Sequence, residues 1–316
     1  MNQFVNLDSA ESIFFARELE ARKARTYDVV KAPLKAFELF PTDSTAGAGA
    51  ESIVYEQYDS TGIAKIIANY ADDLPRANVK GKEFTARVKS VGNSYGYSLQ
   101  EVRAAQMAGK PLVQRQADAA ARAQRELWNK IAFYGDAEYG IPGFLTNTNI
   151  PDSSAPGDGT GSGTTFASKV GDPDLIIRDL NNLANAIVTD TNGAEQPDTI
   201  VLPVAQYALL SSTPRSSTSD TTILDYFLAN NPFINSVEWA NELTAAEMAA
   251  NGVTRFTGDV AFAYRRSPDV LTLEMPQMFE QLPVQERGLE YVVPCHSRIA
   301  GVLVYYPLAC RLLDSI

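Results

Sequence analysis

A long helix that ends on glycine constrains this chain more than any other feature. After Pro111, the residues Val113, Ala117, Ala120, Ala121, Gln124, Trp128 and Ile131 recur at helical spacing, the mark of one amphipathic face. The other face carries Asp118, Arg122, Glu126 and Lys130, each four residues from the next and opposite in charge, which supports a solvated helix surface. The apolar stripe is mostly alanine in its first half, so a neighbouring element can approach closely. The spacing predicts a long, straight, half-exposed helix, a spine rather than a core element. It breaks at Gly135 and runs into Tyr139-Gly140-Ile141-Pro142-Gly143-Phe144-Leu145, an apolar turn punctuated by glycine and proline. No group in that turn has obvious chemistry.

Upstream, Asp8-Ser9-Ala10-Glu11 matches a capping box and predicts a helix to about Arg25. Thr42 to Ala50 reads as a flexible loop. From Glu51 to Ser98 the character is strand: Ile53-Val54-Tyr55 and Ile63 to Tyr70 are short and rich in branched or aromatic residues. Phe84 to Val91 alternates, with Phe84, Ala86 and Val88 on one face and Arg87 and Lys89 on the other. The charged stretch Ala71 to Glu83, broken by Pro75 and Gly81, reads as the tip of a two-stranded tongue. A protruding hairpin is marginal in water by itself, so it is worth having if it lies on another subunit. Ser98-Leu99-Gln100-Glu101 is a second capping box, opening a short helix that Gly109 ends.

Downstream, the low-complexity loop 151–172 is the best internal boundary. Asp172 caps and Pro173 starts a helix with the stripe Ile176, Leu180, Leu183, Ala184 and Ile187. A buried strand at Thr199 to Leu202, a helix from Pro203 to Leu210 and another near Thr221 to Asn230 follow. Strands are expected at Ser236 to Trp239, Val260 to Tyr264 and Val270 to Glu274, then a strand-rich return from Leu289 to Leu313 interrupted by Pro294 and Pro307. The class is α+β.

The 316 residues include 27 basic and 38 acidic ones, a net charge of −11. That balance opposes a function based on gripping nucleic acid, whose phosphates need a basic surface. No apolar run approaches the roughly 20 residues that span a bilayer, and the first residues lack a basic start and a cleavage site, so neither membrane span nor signal peptide is expected. Cys295 and Cys310 are too few for a disulfide framework. They and the single His296 are also too few for a usual zinc site, so no metal or cofactor is expected. Gly157, Gly159, Gly161 and Gly163 lie in a polar loop without Gly-Lys-Ser/Thr, which argues against a phosphate cradle. Gly92-Asn93-Ser94-Tyr95-Gly96 fits the G-x-S-x-G pattern of serine hydrolases, with His296 downstream. The helix cap, however, is Ser98, four residues too late, and Arg87 and Lys89 sit in a strand that should be apolar on both faces. The expectation is two glycines relieving a strand end, and no catalytic residue.

Several of these strings carry a resemblance: Gly62-Ile63-Ala64-Lys65-Ile66-Ile67, the Asp72-Asp73-Leu74-Pro75 tip, Ser94 to Glu101, and the turn Gly135-Asp136 to Asn147. Together with the order arm, tongue, spine, break and separate α+β segment, they resemble the major capsid protein of tailed bacteriophages, the Hong Kong 97-type fold shared with encapsulins. The resemblance covers roughly residues 35 to 316. It implies an N-terminal arm (1–50), an extended β-hairpin loop over an adjacent subunit (51–98), a spine helix and peripheral domain (99–174), an axial domain (175–285) and a C-terminal return to the peripheral domain (286–316). It further implies a non-enzymatic subunit that self-assembles through hexamers and pentamers into an icosahedral head shell, enclosing double-stranded DNA without sequence-specific binding. Scaffold, portal and decoration proteins would be its partners, the virion its location and the host cytoplasm its place of assembly. Phe144 and Leu145 would then be wedges holding a corner that abuts neighbours. An encapsulin-type compartment and a serine hydrolase using Ser94 and His296 are the alternatives. Lys80 and Lys82 sit near the tongue tip, but nothing identifies an acceptor, so no covalent cross-link is expected.

Overall fold

The spine helix spans Leu112–Tyr134, and its burial changes along its length. Val113 near its start is 42% exposed, whereas Trp128, Ile131, Ala132 and Phe133 near its end are buried. Arg122 and Glu126 on its outer face pair at 2.9 Å. The computed structural model describes residues 29–66, 76–109, 112–159, 163–216, 218 and 220–316. Residues 34–316 form one compact unit; of the other, 1–33, only 29–33 are described. The helix expected after Asp8 and the tip Asp72 to Pro75 lie outside the described residues.

A five-stranded sheet separates two hydrophobic cores. Its order is Asp152–Ser154, Cys310–Asp314, Val260–Tyr264, Thr199–Leu202 and Ser236–Trp239. Successive side chains on a strand point to opposite faces. Val260, Phe262, Tyr264, Val201 and Leu312 accordingly enter the first core, with Phe40, Trp128, Phe133 and Phe144. Ala261, Ala263, Ile200, Leu202 and Leu313 enter the second, under the stripe Ile176, Leu180, Leu183, Ala184 and Ile187 of the helix Pro173–Asp190. Covering on both faces is why these strands read as unbroken apolar runs. Asp172 occupies the N-cap of that helix without a side-chain cap bond, and Pro173 supplies the start.

A second sheet is centred on Glu290–Ile299. One edge pairs with Lys89–Ser98, the other with Gln277–Gln281 and then Gln285–Arg287. Pro294 therefore does not interrupt the return as expected. Its carbonyl accepts from the Leu282 N–H, so its nitrogen faces the gap between those two short strands, where no ladder donor is required. Pro307 does interrupt, opening a short 3-10 turn, Pro307–Ala309. The inner face of this sheet lies on the spine: the Trp128 indole donates to Ser297 Oγ at 3.2 Å, Asn93 Nδ2 to the Ala120 carbonyl at 2.8 Å, and Gln124 Nε2 to Asn93 Oδ1 at 2.9 Å.

The tongue is a hairpin of Ser52–Thr61 against Asn78–Arg87, ten residues in each strand. The strand expected at Ile63 to Tyr70 is absent over 62–66, and 67–70 lie outside the described residues. The alternation over Phe84 to Val91 spans two strands: the chain changes partner at Val88, and Ala86 and Val88 are buried while Arg87 is exposed. Two loop expectations also need correction. Thr42–Asp43 forms a strand beside Leu271–Glu274. In 151–172, Asp152–Ser154 pairs with Leu312 to Asp314, Phe166 fills the second core, and fully buried Lys169 and Asp179 pair at 2.6 Å. Glycine-rich composition conceals these anchors. No described helix is long and apolar enough to cross a membrane.

Candidate functional site

The order in the Gly-Pro turn comes from unfinished hydrogen bonds. A helix leaves its last carbonyls without intrahelical partners. Here the Ala132 and Phe133 carbonyls accept from the Phe144 and Leu145 N–H groups at 2.9 and 2.8 Å, and the Tyr134 carbonyl accepts from Thr146 Oγ1 at 3.1 Å. The chain can fold back this far because Gly135 adopts φ +68° and because Asp136 and Ile141 exchange both backbone hydrogen bonds at 2.9 Å. The turn thus caps the spine. Phe144 and Leu145 are fully buried, and Phe144 lies 4.6 Å from the Phe262 ring and 5.2 Å from Phe40. They hold the centre of the first core rather than a corner facing neighbours, because capping drives them inward.

The tongue has a packed root and an exposed blade. At the root, Tyr55 stacks on Phe84 (5.1 Å) and meets Tyr305 edge-on (4.8 Å). Val54 beside it on the outer face, and Tyr58 and Val79 beyond it, are 48, 67 and 67% exposed, and Ile63 and Ile66 more so. Large apolar side chains concentrated on a protrusion mark a contact surface.

The G-x-S-x-G string lies inside the strand Lys89–Ser98, not at a strand-to-helix elbow. Gly92, Ser94, Gly96 and Ser98 pair with His296, Pro294, Val292 and Glu290 on the outer face of the sheet. The motif is a row of small residues on one face of a strand. Ser94 and His296 share that face diagonally, and Glu280 stands opposite His296. Among the described residues no hydrogen bond joins Ser94 to His296 or His296 to Glu280, whose carboxylate accepts from Gln277. Cys295 points the other way, buried, and burial raises its thiol above the usual range. Among the described residues no group of three or more His, Cys, Asp or Glu is placed to hold a metal.

A family model described as major capsid protein matches residues 62–316. The chain belongs to the major capsid protein family. The solved capsid of Myoviridae phage XM1 superimposes with a TM-score of 0.79 at 17% identity, covering 96% of this chain and 99% of that one. A structure from Mycobacterium phage Ogopogo gives 0.61 at 12% identity, with the same coverages. The virus-like particle of Pyrococcus furiosus gives 0.53 at 11%, covering 88% and 91%. These likenesses establish the Hong Kong 97-type fold. No curated protein matches significantly. The protein is a phage capsid subunit, a structural component of the virion rather than an enzyme.

Some features of this capsid protein escaped sequence reasoning. Tyr55 and Tyr305 are 250 positions apart and carry no shared pattern. The buried pair of Lys169 and Asp179 was hidden because a lysine in a polar loop reads as solvated. Between the tongue root and the spine turn lies a cleft of about 750 Å³, lined by Lys82, Phe84, Pro142, Asn147, Tyr305 and Leu308 among others.

Proposed function

We propose that this capsid protein builds the icosahedral head shell of a tailed bacteriophage around double-stranded DNA, through hexamers and pentamers. The observation that carries the reading is the blade of the tongue, whose apolar residues have no cover among the described residues. Residues 51–98 would lie over an adjacent subunit, 1–50 would tether neighbours, 175–285 would gather at capsomer centres, and 99–174 with 286–316 would form the peripheral domain between them. Each contact can be modest, since closing a symmetric shell multiplies it. With a net charge of −11, an acidic lumen would repel packaged DNA and leave it free to move. Scaffold, portal and decoration proteins complete the scheme, with assembly in the host cytoplasm. The family match supports a phage head over an encapsulin-type compartment of the same fold.

Negative-stain electron microscopy of the purified protein, alongside light scattering, tests this. Closed shells or discrete hexamers and pentamers are expected. A protein that remains monomeric, alone and with its scaffold, would overturn it.

A further inference from the structure

We infer that Glu242 is a proton-operated clasp between the spine helix and the turn Asn241–Leu243, and that through Asn129 it sets how firmly the short helix Ala36–Leu39 is held. Three distant parts of the chain meet here. The Ala36 N–H donates to Asn129 Oδ1 at 2.9 Å, and Asn129 Nδ2 donates to Glu242 Oε1 at 2.5 Å. With its oxygen engaged by Ala36, the buried Asn129 amide has only its NH2 to offer on the other side. The Tyr134 hydroxyl donates to the Glu242 carbonyl at 2.8 Å. Ala240, Leu243 and Met248 enter the first core with Trp128 and Phe133, so the turn is anchored on both sides of Glu242.

One carboxyl oxygen is left over. Glu242 Oε2 is buried and has no hydrogen-bond partner among the described residues. Burial penalises a carboxylate so placed far more than a neutral carboxyl. The surrounding groups do not relieve the charge. Tyr134 on the spine is a phenol that burial and the carboxylates of Glu242 and Glu247 hold in its neutral form. Glu247, on the helix Ala245–Ala250, is a like charge. Lys35, beside the short helix, is taken by Glu38 at 2.5 Å and lies over the Trp239 ring at 4.7 Å. Burial therefore raises the Glu242 pKa, the Asn129 hydrogen bond opposes the shift, and Glu247 adds to it. With the proton on, the clasp is shut. Its contribution is complete below the ordinary glutamate value of about 4.3 and is lost as pH rises through the folded value.

The two tryptophans of the chain flank the clasp and report on it. Trp128 precedes Asn129 and meets Phe37 edge-on at 5.9 Å, and Trp239 lies under Lys35 just before the turn. Intrinsic fluorescence of the full chain, titrated from alkaline to acid, is expected to show a transition above the ordinary glutamate value. Glu242→Gln should abolish it. Glu247 is exposed, so Glu247→Gln leaves the clasp in place and should move the midpoint down. Hydrogen exchange measured by mass spectrometry at matched pH reads the short helix directly, because the intrinsic pH dependence of exchange cancels between proteins. Residues 34–40 should exchange faster in wild type than in Glu242→Gln on the alkaline side of the transition, and alike on the acid side. No transition above the ordinary value, a transition that persists in Glu242→Gln, or a midpoint unmoved by Glu247→Gln would overturn the clasp. Equal exchange over 34–40 on the alkaline side would overturn its link to Ala36.

Discussion

The nitrogen of Gly135 lies 2.1 Å from where a β-carbon on Gly143 would stand, and the Tyr134 carbonyl carbon 2.3 Å from it. Two backbones are in contact at the end of the spine, and neither can yield without releasing the cap. Gly143→Ala is expected to destabilise the protein by more than about 4 kcal/mol, the range of exceptional substitutions. Gly140→Ala, with φ +68° but open space around it, should cost only about 1–2 kcal/mol. Chemical denaturation of the two variants measures the difference.

Lys169 and Asp179 form a pair with no solvent access, and Arg178 also donates to Asp179, at 2.8 Å. The partners are unequal. Lys169→Met leaves Asp179 with Arg178, while Asp179→Leu strands a buried ammonium. Removing one member of a buried pair costs about 3–5 kcal/mol, so Asp179→Leu should reach that range and Lys169→Met fall below it. Comparing denaturation midpoints decides the order.

Ser94 pairs with Pro294 in the middle of a strand, and among the described residues no hydrogen bond joins it to a base. A fluorophosphonate probe is expected to leave the native protein unlabelled, and Ser94→Ala to assemble as the wild type does. Labelling that disappears in the variant would restore the hydrolase alternative.

The parts legible in the sequence are those whose cause is local. The Ser98–Glu101 capping box, the left-handed Gly109 stop and the stripe from Ile176 to Ile187 all form as their spacing predicts, because each depends on residues within a turn or two. Phe144 was read as a wedge holding a corner of its domain and lies inside the first core, since its position is set by carbonyls of the spine and by Phe262, more than a hundred residues away. Pro294 was read as a break because which edge of a strand lacks a partner is decided by the neighbouring strands. The match of Glu56 to Glu83 is likewise invisible until the hairpin register is fixed.

Glu274 gives the stability a defined pH dependence. Its carboxylate is buried beside the tongue root, accepting from Thr272 Oγ1 at 2.7 Å and from the Tyr305 hydroxyl at 3.1 Å. Burial raises its pKa; the two hydrogen bonds oppose the shift, and Asp43 adds to it. A raised carboxyl means that the folded chain holds the proton more tightly than the unfolded one. Its favourable contribution is therefore complete below the unfolded value of about 4.3 and is lost as pH rises through the folded value. Glu274→Gln keeps an acceptor for Thr272 and Tyr305 without the charge. It is expected to melt higher than wild type near neutral pH, and the gap to close as the solution is acidified through that window. Glu242 shifts in the same direction but is present in both proteins, so it cancels in the difference. Thermal unfolding of the pair across pH measures this, and a gap that stays constant would mean Glu274 is not the group responsible.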